Sequence, residues 1–132
     1  MTEVELSKIL IDESNPEQVI VLKDKNQDKY LPVVIGINEA LSIRMKLSGF
    51  VPPRPLTHDL IVSMLSNLEV AVKKVLVDKF EEGTFFAKIV LQTKDGNTKI
   101  IDARPSDSVA IAVRTGAPIY VSEEILNKSD IA

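Results

Sequence analysis

Apolar and polar residues alternate with a period of two in two separate regions of the chain, and this pattern predicts two sets of β-strands. The first set, within 4–35, contains a hairpin that turns at 26–28. Pro32 lies in the returning strand and has no N–H to donate, so we expect an edge position or a bulge there. The second set, within 70–103, is typical of a three-stranded antiparallel meander.

A helical period replaces the alternation in three segments. The first, 37–47, has Arg44 in the middle of its apolar arc, where the charge either snorkels to solvent or meets a carboxylate or an anionic ligand. The second is capped by Thr57 and carries an apolar stripe that we expect to pack against a sheet. The third is capped by Ser106, ends at Gly116 and is so apolar that we expect it to be the most buried helix.

A short strand at 120–121 and a last helical turn capped by Ser122 complete the pattern. Together these elements predict an α+β fold, in which antiparallel or mixed β-sheets, a hairpin plus a three-stranded meander, pack with three to four helices. The length of 132 residues matches one domain, so we expect a single domain at 1–132.

The composition removes several kinds of chemistry. The absence of cysteine excludes disulfides, thiolate nucleophiles and cysteine-ligated metals, and His58 is the only histidine available to a Ser-His-Asp triad. A net charge of -3 argues mildly against broad binding to nucleic acid. The chain has no apolar run of the ~20 residues that a membrane span needs and no signal-peptide pattern, so we expect a cytoplasmic protein without a membrane partner.

Two short segments, 54–59 and 104–107, share an Arg-Pro pair ahead of a hydroxyl residue and an acid in the first turn of a helix. Such a helix start offers amides and a guanidinium group to phosphate, and its acid suits a divalent cation. The alternative is that both segments are helix caps whose ion pairs only stabilise the fold. We expect the two starts to converge on one site, with Arg44, His58 and Asp102 in the same cluster.

Three stretches of the chain closely resemble the bifunctional nuclease domain family. They are 52–60 (PPRPLTHDL), 102–110 (DARPSDSVA) and 116–121 (GAPIYV). With Ile35-Gly36 ahead of Glu39-Ala40, the resemblance covers nearly the whole chain. It implies the fold of that family and, by similarity to its plant members, nuclease activity on RNA and DNA.

The leading interpretation is a nuclease that hydrolyses phosphodiester bonds of RNA, DNA or both with the help of Mg²⁺ or Mn²⁺. Acids would hold the metal, guanidinium groups would offset the transition-state charge, and histidine would transfer a proton at about pH 7. The predicted catalytic residues are His58, Asp102, Arg104 and Asp107; the predicted substrate-binding residues are Arg44, Arg54, Thr57 and Ser106; the predicted metal ligands are Asp59, Asp102 and Asp107.

The alternative interpretation is a non-enzymatic module that binds a nucleotide, a nucleic acid or a protein partner at the same helix starts, with the motif residues serving as caps and ion pairs. Metal dependence separates the two interpretations. We also expect a homodimer, because a small domain with open strand edges commonly covers them by twofold pairing.

Overall fold

A computed structural model of the chain describes residues 1–128. The domain predicted at 1–132 therefore ends in residues 129–132, which lie outside the described part. Seven strands and four helices follow one another in the described residues: β1 Thr2–Leu10, β2 Glu17–Asp24, β3 Tyr30–Gly36, α1 Ile37–Leu47, α2 Thr57–Asn67, β4 Ala71–Glu81, β5 Thr84–Gln92, β6 Thr98–Ala103, α3 Pro105–Thr115, β7 Ile119–Val121 and α4 Glu123–Lys128.

All seven strands belong to one mixed sheet, with the spatial order β3-β2-β1-β7-β4-β5-β6. The two predicted strand sets form its two halves, and β7 joins them because it pairs antiparallel with β1 and parallel with β4. The α+β fold class is thus confirmed. Pro32 lies in β3, which is an edge strand as predicted, so its missing N–H removes little from the ladder.

Helix α3 is the most deeply buried helix, as its sequence predicted. Four consecutive residues from Val109 to Ala112 are each at most 2% exposed. Three of them, Val109, Ala110 and Ala112, belong to the same core cluster as the fully buried β4 and β5 residues Val75, Val77 and Ala87. Burial of each valine or isoleucine contributes about 1.5–3 kcal/mol, so this contact fixes the position of α3 over the sheet.

Helix α2 differs from the prediction that it would pack against a sheet. Its principal contacts are with α3, and its apolar stripe faces solvent. Leu60, Met64 and Leu68 are 48%, 54% and 71% exposed. The stripe was read correctly as one face of a helix, but the partner expected to cover it is not the sheet of the same chain.

Helix α1 is rotated relative to the prediction. Ala40 and Ile43 are fully buried and Ser42 is nearly so, whereas Arg44 points to solvent with a 53% exposed side chain. The nearest charge partner of Arg44 is Glu13, at 3.9 Å. Of the two alternatives for Arg44, the structure agrees with the one in which its charge reaches solvent. The expectation that Arg44 joins His58 in one cluster is wrong, because the helix buries Ser42, whose hydroxyl is hydrogen-bonded, and leaves the arginine outside.

Within residues 1–128, the longest helices have 11 residues, and none is long and apolar enough to cross a membrane. The cytoplasmic location stays a prediction.

Candidate active site at the convergent helix starts

The N-termini of α2 and α3 meet beside the middle of α1, so the two Arg-Pro segments do converge. Pro105 is the first residue of α3, a position where its missing N–H costs nothing, and Arg104 precedes it at the N-cap. Leu56 holds the corresponding position in α2, where its N–H donates to Asp59 Oδ2 at 3.0 Å. Thr57 and Ser106 are therefore not the caps that we predicted; each lies inside the first turn.

A buried arginine that was not predicted organises the inner half of the site. The Arg114 side chain is only 5% exposed, and its Nε donates to Asp59 Oδ1 at 2.7 Å. One Nη donates to the carbonyl oxygen of Ala110 at 3.0 Å, and the other donates to Ser42 Oγ at 3.0 Å and to the Ser42 carbonyl oxygen at 3.4 Å. The Arg114 guanidinium, followed by the Leu56 N–H, lowers the pKa of Asp59 below its usual value.

His58 connects the inner half to the outer half. It is 7% exposed, and both ring nitrogens have partners: Nδ1 lies 2.9 Å from Ser42 Oγ, and Nε2 lies 2.8 Å from Asp107 Oδ1. The ring thus ties α2 to α1 on one side and to α3 on the other. The prediction that His58 faces inward is confirmed, but the ring has no nitrogen left for a substrate in this arrangement.

The outer half of the site is an open cleft of about 530 Å³. The Arg104 side chain is 71% exposed and lies between two carboxylates, with Nε 3.5 Å from Asp107 Oδ2 and an Nη 3.7 Å from Glu39 Oε1. These separations are long for charged hydrogen bonds, so the guanidinium is loosely held. The other lining residues are Asn38, Leu41, Ser42, Met45, Leu56, Thr57 and His58.

Ser42, His58 and Asp107 are the three residue types of a hydrolase triad, but their arrangement differs from one. In a triad the serine bonds to Nε2 and the acid to Nδ1, whereas here the ring is reversed. Ser42 is 8% exposed, and its oxygen already accepts an N–H of Arg114. The serine is therefore better suited to hold the ring in place than to attack a large substrate.

Asp102 does not join this site, contrary to the prediction. In the β5–β6 ladder Ala103 stands opposite Ala87, which is buried under α3, and Asp102 stands opposite Lys88. Successive residues of a strand point to opposite faces, so Asp102 lies on the face away from α3. It is exposed, and its side chain has no hydrogen bond or ion pair with any residue in 1–128.

The remaining predicted site residues are divided between the cleft and other surfaces. Thr57 lines the cleft, Ser106 is buried within α3, and Arg44 and Arg54 are exposed outside the cleft. Among residues 1–128 there is no group of three or more His, Asp or Glu side chains placed to hold one metal ion. The three predicted metal ligands are thus not brought together, and the role of a metal stays a prediction.

Three residues of the site were missed in the sequence, although each left a signal. Arg114 is the only cation of α3 and directly follows its apolar run, the same kind of anomaly that drew attention to Arg44. Ser42 interrupts the turn that buries Ala40 and Ile43. The Glu39 side chain folds back over Gly36, and a Cβ at position 36 would lie 2.5 Å from Glu39 Oε1. The signal in the sequence was therefore a glycine three residues before an acid.

Comparison with known proteins identifies the family of the chain. Residues 20–132 match the family model described as Bifunctional nuclease domain, so the chain belongs to the bifunctional nuclease domain family. An uncharacterized protein of Mycobacterium tuberculosis is 43% identical over 131 residues, which cover 99% of this chain and 77% of that one.

Plant relatives are more distant and longer. Bifunctional nuclease 1 of Oryza sativa subsp. japonica is 28% identical over 86% of this chain and 35% of its own length. Bifunctional nuclease 1 of Arabidopsis thaliana is 29% identical over 82% of this chain and 34% of its own. The resemblance seen in the three motif stretches is thereby confirmed.

Proposed function

We propose that this protein is a nuclease that hydrolyses phosphodiester bonds of RNA, DNA or both in the cleft at the start of α3. The observation that carries the proposal is that family-motif residues from two distant segments, His58, Arg104 and Asp107, meet at one open cleft. The names of the plant relatives support the same reaction class.

In this proposal Arg104 binds the phosphate. Its guanidinium is mostly exposed and held only at 3.5–3.7 Å by two carboxylates, so it is free to turn toward a substrate. A guanidinium group offers parallel N–H donors to two phosphate oxygens and stabilises the negative charge that grows during hydrolysis. Thr57, exposed at the rim, adds a hydroxyl donor on the α2 side.

The donor set of the cleft fits a hydrated Mg²⁺ or Mn²⁺ ion. Glu39 and Asp107 face the same space from α1 and α3, and magnesium in proteins is commonly held by one or two carboxylates together with water and substrate phosphate. A bound divalent ion would supply charge neutralisation and an activated water. It would also offset the net charge of -3, which otherwise opposes a polyanionic substrate.

The role proposed for His58 changes from that in the sequence hypothesis. Both of its nitrogens are engaged and the ring is buried, so it positions Asp107 rather than exchanging protons with the substrate. Asp107 keeps its second oxygen, Oδ2, on the cleft side, where it can hold a cation or accept a proton from water.

The test is hydrolysis of single-stranded and duplex RNA and DNA by the purified chain, with and without Mg²⁺ or Mn²⁺. Asp107→Asn should lower the rate by roughly a hundredfold or more, the contribution of a positioned proton acceptor. Asp102→Asn changes a carboxylate on the opposite face and separates the two hypotheses: an unchanged rate supports the cleft, and an equal loss supports the sequence-based cluster. No turnover with any substrate or metal would contradict the nuclease proposal.

One observation favours the alternative of a binding module. The inward-facing polar groups of the site, Arg114, Asp59, His58 and Ser42, satisfy one another, as a purely structural network does. In that case the cleft would bind a nucleotide or a nucleic acid through Arg104 without turnover. Retention of a fluorescent oligonucleotide by wild type but not by Arg104→Met, in the absence of hydrolysis, is the expected result for that function.

We further propose that a second copy of the chain covers the exposed stripe of α2. Leu60, Met64 and Leu68 recur every four residues, which forms a seam that matches itself when two copies of α2 pack antiparallel across a twofold axis. Sedimentation should give about twice the monomer mass of 14.6 kDa, and Met64→Lys should return the protein to a monomer. A monomer mass for the wild type at micromolar concentration would contradict the dimer.

A further inference from the structure

A continuous chain of hydrogen bonds runs from the buried Arg114 to the cleft. An Arg114 Nη lies 3.0 Å from Ser42 Oγ, Ser42 Oγ lies 2.9 Å from His58 Nδ1, and His58 Nε2 lies 2.8 Å from Asp107 Oδ1. The groups at the two ends of this hydrogen-bonded series, Arg114 and Asp107, each have only one possible role. Arginine can only donate hydrogen bonds, and an ionised carboxylate can only accept them.

The fixed ends determine where the protons lie between them. Asp107 accepts, so Nε2 must carry a hydrogen, and a neutral imidazole has only one N–H. Nδ1 is then bare and needs a donor. Ser42 supplies it, because its oxygen receives N–H from Arg114 and its own O–H is left to point at Nδ1.

We propose that Arg114, acting through Ser42, holds His58 as the Nε2–H tautomer, and that this tautomer fixes the Asp107 carboxylate in the cleft. Arg114 and Ser42 are then positioning residues. They determine which oxygen of Asp107 is bound by the ring and which one, Oδ2, remains beside Arg104 for a ligand.

The surroundings of the ring favour this proton arrangement. A hydrogen on Nδ1 would point at a hydroxyl that already receives an N–H, and it would bring positive charge toward the Arg114 guanidinium. The other charged groups near Asp107 are Arg104 and Glu39, both on the cleft side. The buried side therefore favours the same tautomer that the Asp107 carboxylate requires, and Asp107 Oδ2 remains on the exposed side for a ligand.

The catalytic meaning of this inference rests on the proposed nuclease function, but the tautomer can be tested without any activity. His58 is the only histidine of the chain, so long-range ¹H–¹⁵N correlation spectra contain a single imidazole ring. The measurement is made on the full chain at about pH 8, above the ordinary protonation range of histidine. Wild type should show a protonated Nε2 and a bare Nδ1 whose shift is that of a hydrogen-bonded acceptor.

Variants then separate the two sides of the ring. Ser42→Ala should move the Nδ1 signal to that of an acceptor without a donor. Arg114→Met should move it part of the way, because the Ser42 O–H remains but loses the N–H that orients it, and Arg114→Lys, which keeps a cationic donor, should move it less. Ser42→Ala leaves the pair between Arg114 and Asp59 in place, so it remains informative if Arg114→Met does not fold. The control is Ser108→Ala, because Ser108 is a fully buried serine whose hydroxyl has no partner within residues 1–128.

The contribution of the inner side is measured in an Asp107→Ala background, where the carboxylate no longer selects the tautomer. There the Nε2–H form should still dominate, and adding Arg114→Met should lower its ratio to the Nδ1–H form roughly fivefold, the effect of about one neutral hydrogen bond. The inference would be overturned if the wild-type ring carried its hydrogen on Nδ1, or if the Nδ1 signal did not change in either Ser42→Ala or Arg114→Met.

Hydrolysis assays of the same variants keep the two proposals apart. If the chain is a nuclease, Ser42→Ala should reduce kcat and leave KM nearly unchanged, since it disturbs Asp107 without touching the substrate. Absence of turnover in wild type would end the nuclease proposal and leave the tautomer result intact. Turnover together with the wrong tautomer would end this inference alone.

Discussion

The two arginines of the site hold the same kind of partner in opposite ways. Arg114 is 5% exposed and meets Asp59 at 2.7 Å, with further bonds to Ala110 and Ser42. Arg104 is 71% exposed and stands 3.5–3.7 Å from two carboxylates. All three nitrogens of the Arg114 guanidinium donate hydrogen bonds within the protein, whereas most of the Arg104 side chain is open to solvent.

This contrast indicates that the two arginines have different roles in the site. A buried ion pair that loses one partner leaves an uncompensated charge, so it strongly constrains the positions of the groups around it. An exposed pair contributes about 0–1 kcal/mol and exchanges partners easily, so it can give way to a ligand. The inner arginine thus sets the geometry, and the outer arginine is available for binding.

The largest expected effect is on stability when the inner arginine is removed. Arg114→Met should lower the free energy of unfolding by about 3 kcal/mol, the low end of the range for breaking a buried pair because Asp59 is itself partly exposed. Urea unfolding followed by circular dichroism measures it. The double variant Asp59→Asn/Arg114→Met should recover part of the loss, and a single-variant loss below about 1 kcal/mol would remove the distinction between the two arginines.

A smaller loss is expected when the hydroxyl between the inner arginine and the histidine is removed. Ser42→Ala leaves both His58 Nδ1 and an Arg114 N–H without a partner, which should cost about 2 kcal/mol. Ser108→Ala removes a buried hydroxyl that has no partner in 1–128, so the same substitution should be neutral or stabilising by up to about 1 kcal/mol. Equal effects of the two substitutions would contradict the assigned network.

The stability contributed by the pair between Arg114 and Asp59 should depend on pH in the acid range. The Arg114 guanidinium and the Leu56 N–H lower the pKa of Asp59 below the ordinary value of 3.8, so the unfolded chain binds more protons than the folded one near that pH. The resulting stabilisation is present above the unfolded pKa and disappears as the pH falls through the folded pKa. We expect the stability advantage of wild type over Asp59→Asn to hold at neutral pH and to shrink below about pH 4.

The quantity to measure is the difference in the free energy of unfolding between wild type and Asp59→Asn, because other carboxylates titrate in the same range. The pKa of Asp12 is also lowered, by its hydrogen bonds from Ser14, and this contribution is common to both proteins. Urea midpoints at several pH values give the difference directly. An advantage that persisted unchanged to about pH 2 would show that Asp59 is not held by Arg114 as its carboxylate.

Most of the fold could be predicted from the sequence because its signals are local. Strand alternation and the apolar character of the segment after Pro105 each depend on neighbouring residues, and the two strand sets and the buried α3 followed from them. The joining of the two sets into one seven-stranded sheet was not predicted. The strands that pair with β7 could not be predicted from the sequence. Strand β7 has three residues, and its parallel pairing with β4 depends on the path of α3 across the sheet.

The site was less predictable because it depends on how the elements are rotated. Arg114 and Asp59 are 55 residues apart, and no spacing rule pairs them. The helical period of α1 predicted an apolar arc but not which part of the helix α3 covers, so Arg44 was placed in the middle of the arc and the burial of Ser42 was not predicted. On β6 both Ile100 and Ile101 are exposed at the sheet edge, so alternation alone did not assign Asp102 to a face.

The smallest expected change in stability comes from the outer arginine. Arg104→Met removes two weak contacts of an exposed side chain, so the free energy of unfolding should change by less than about 1 kcal/mol.

The same variant should bind a single-stranded oligonucleotide several-fold more weakly, because the guanidinium is the only cationic group among the residues that line the described cleft. Fluorescence anisotropy at two salt concentrations measures the loss, which should diminish as salt screens the phosphate contact. Arg54→Met, a matched change of an exposed arginine outside the cleft, should leave binding nearly unchanged. If both arginines contributed equally, binding would follow overall charge rather than the cleft, and the contrast between a structural inner arginine and a ligand-binding outer one would not hold.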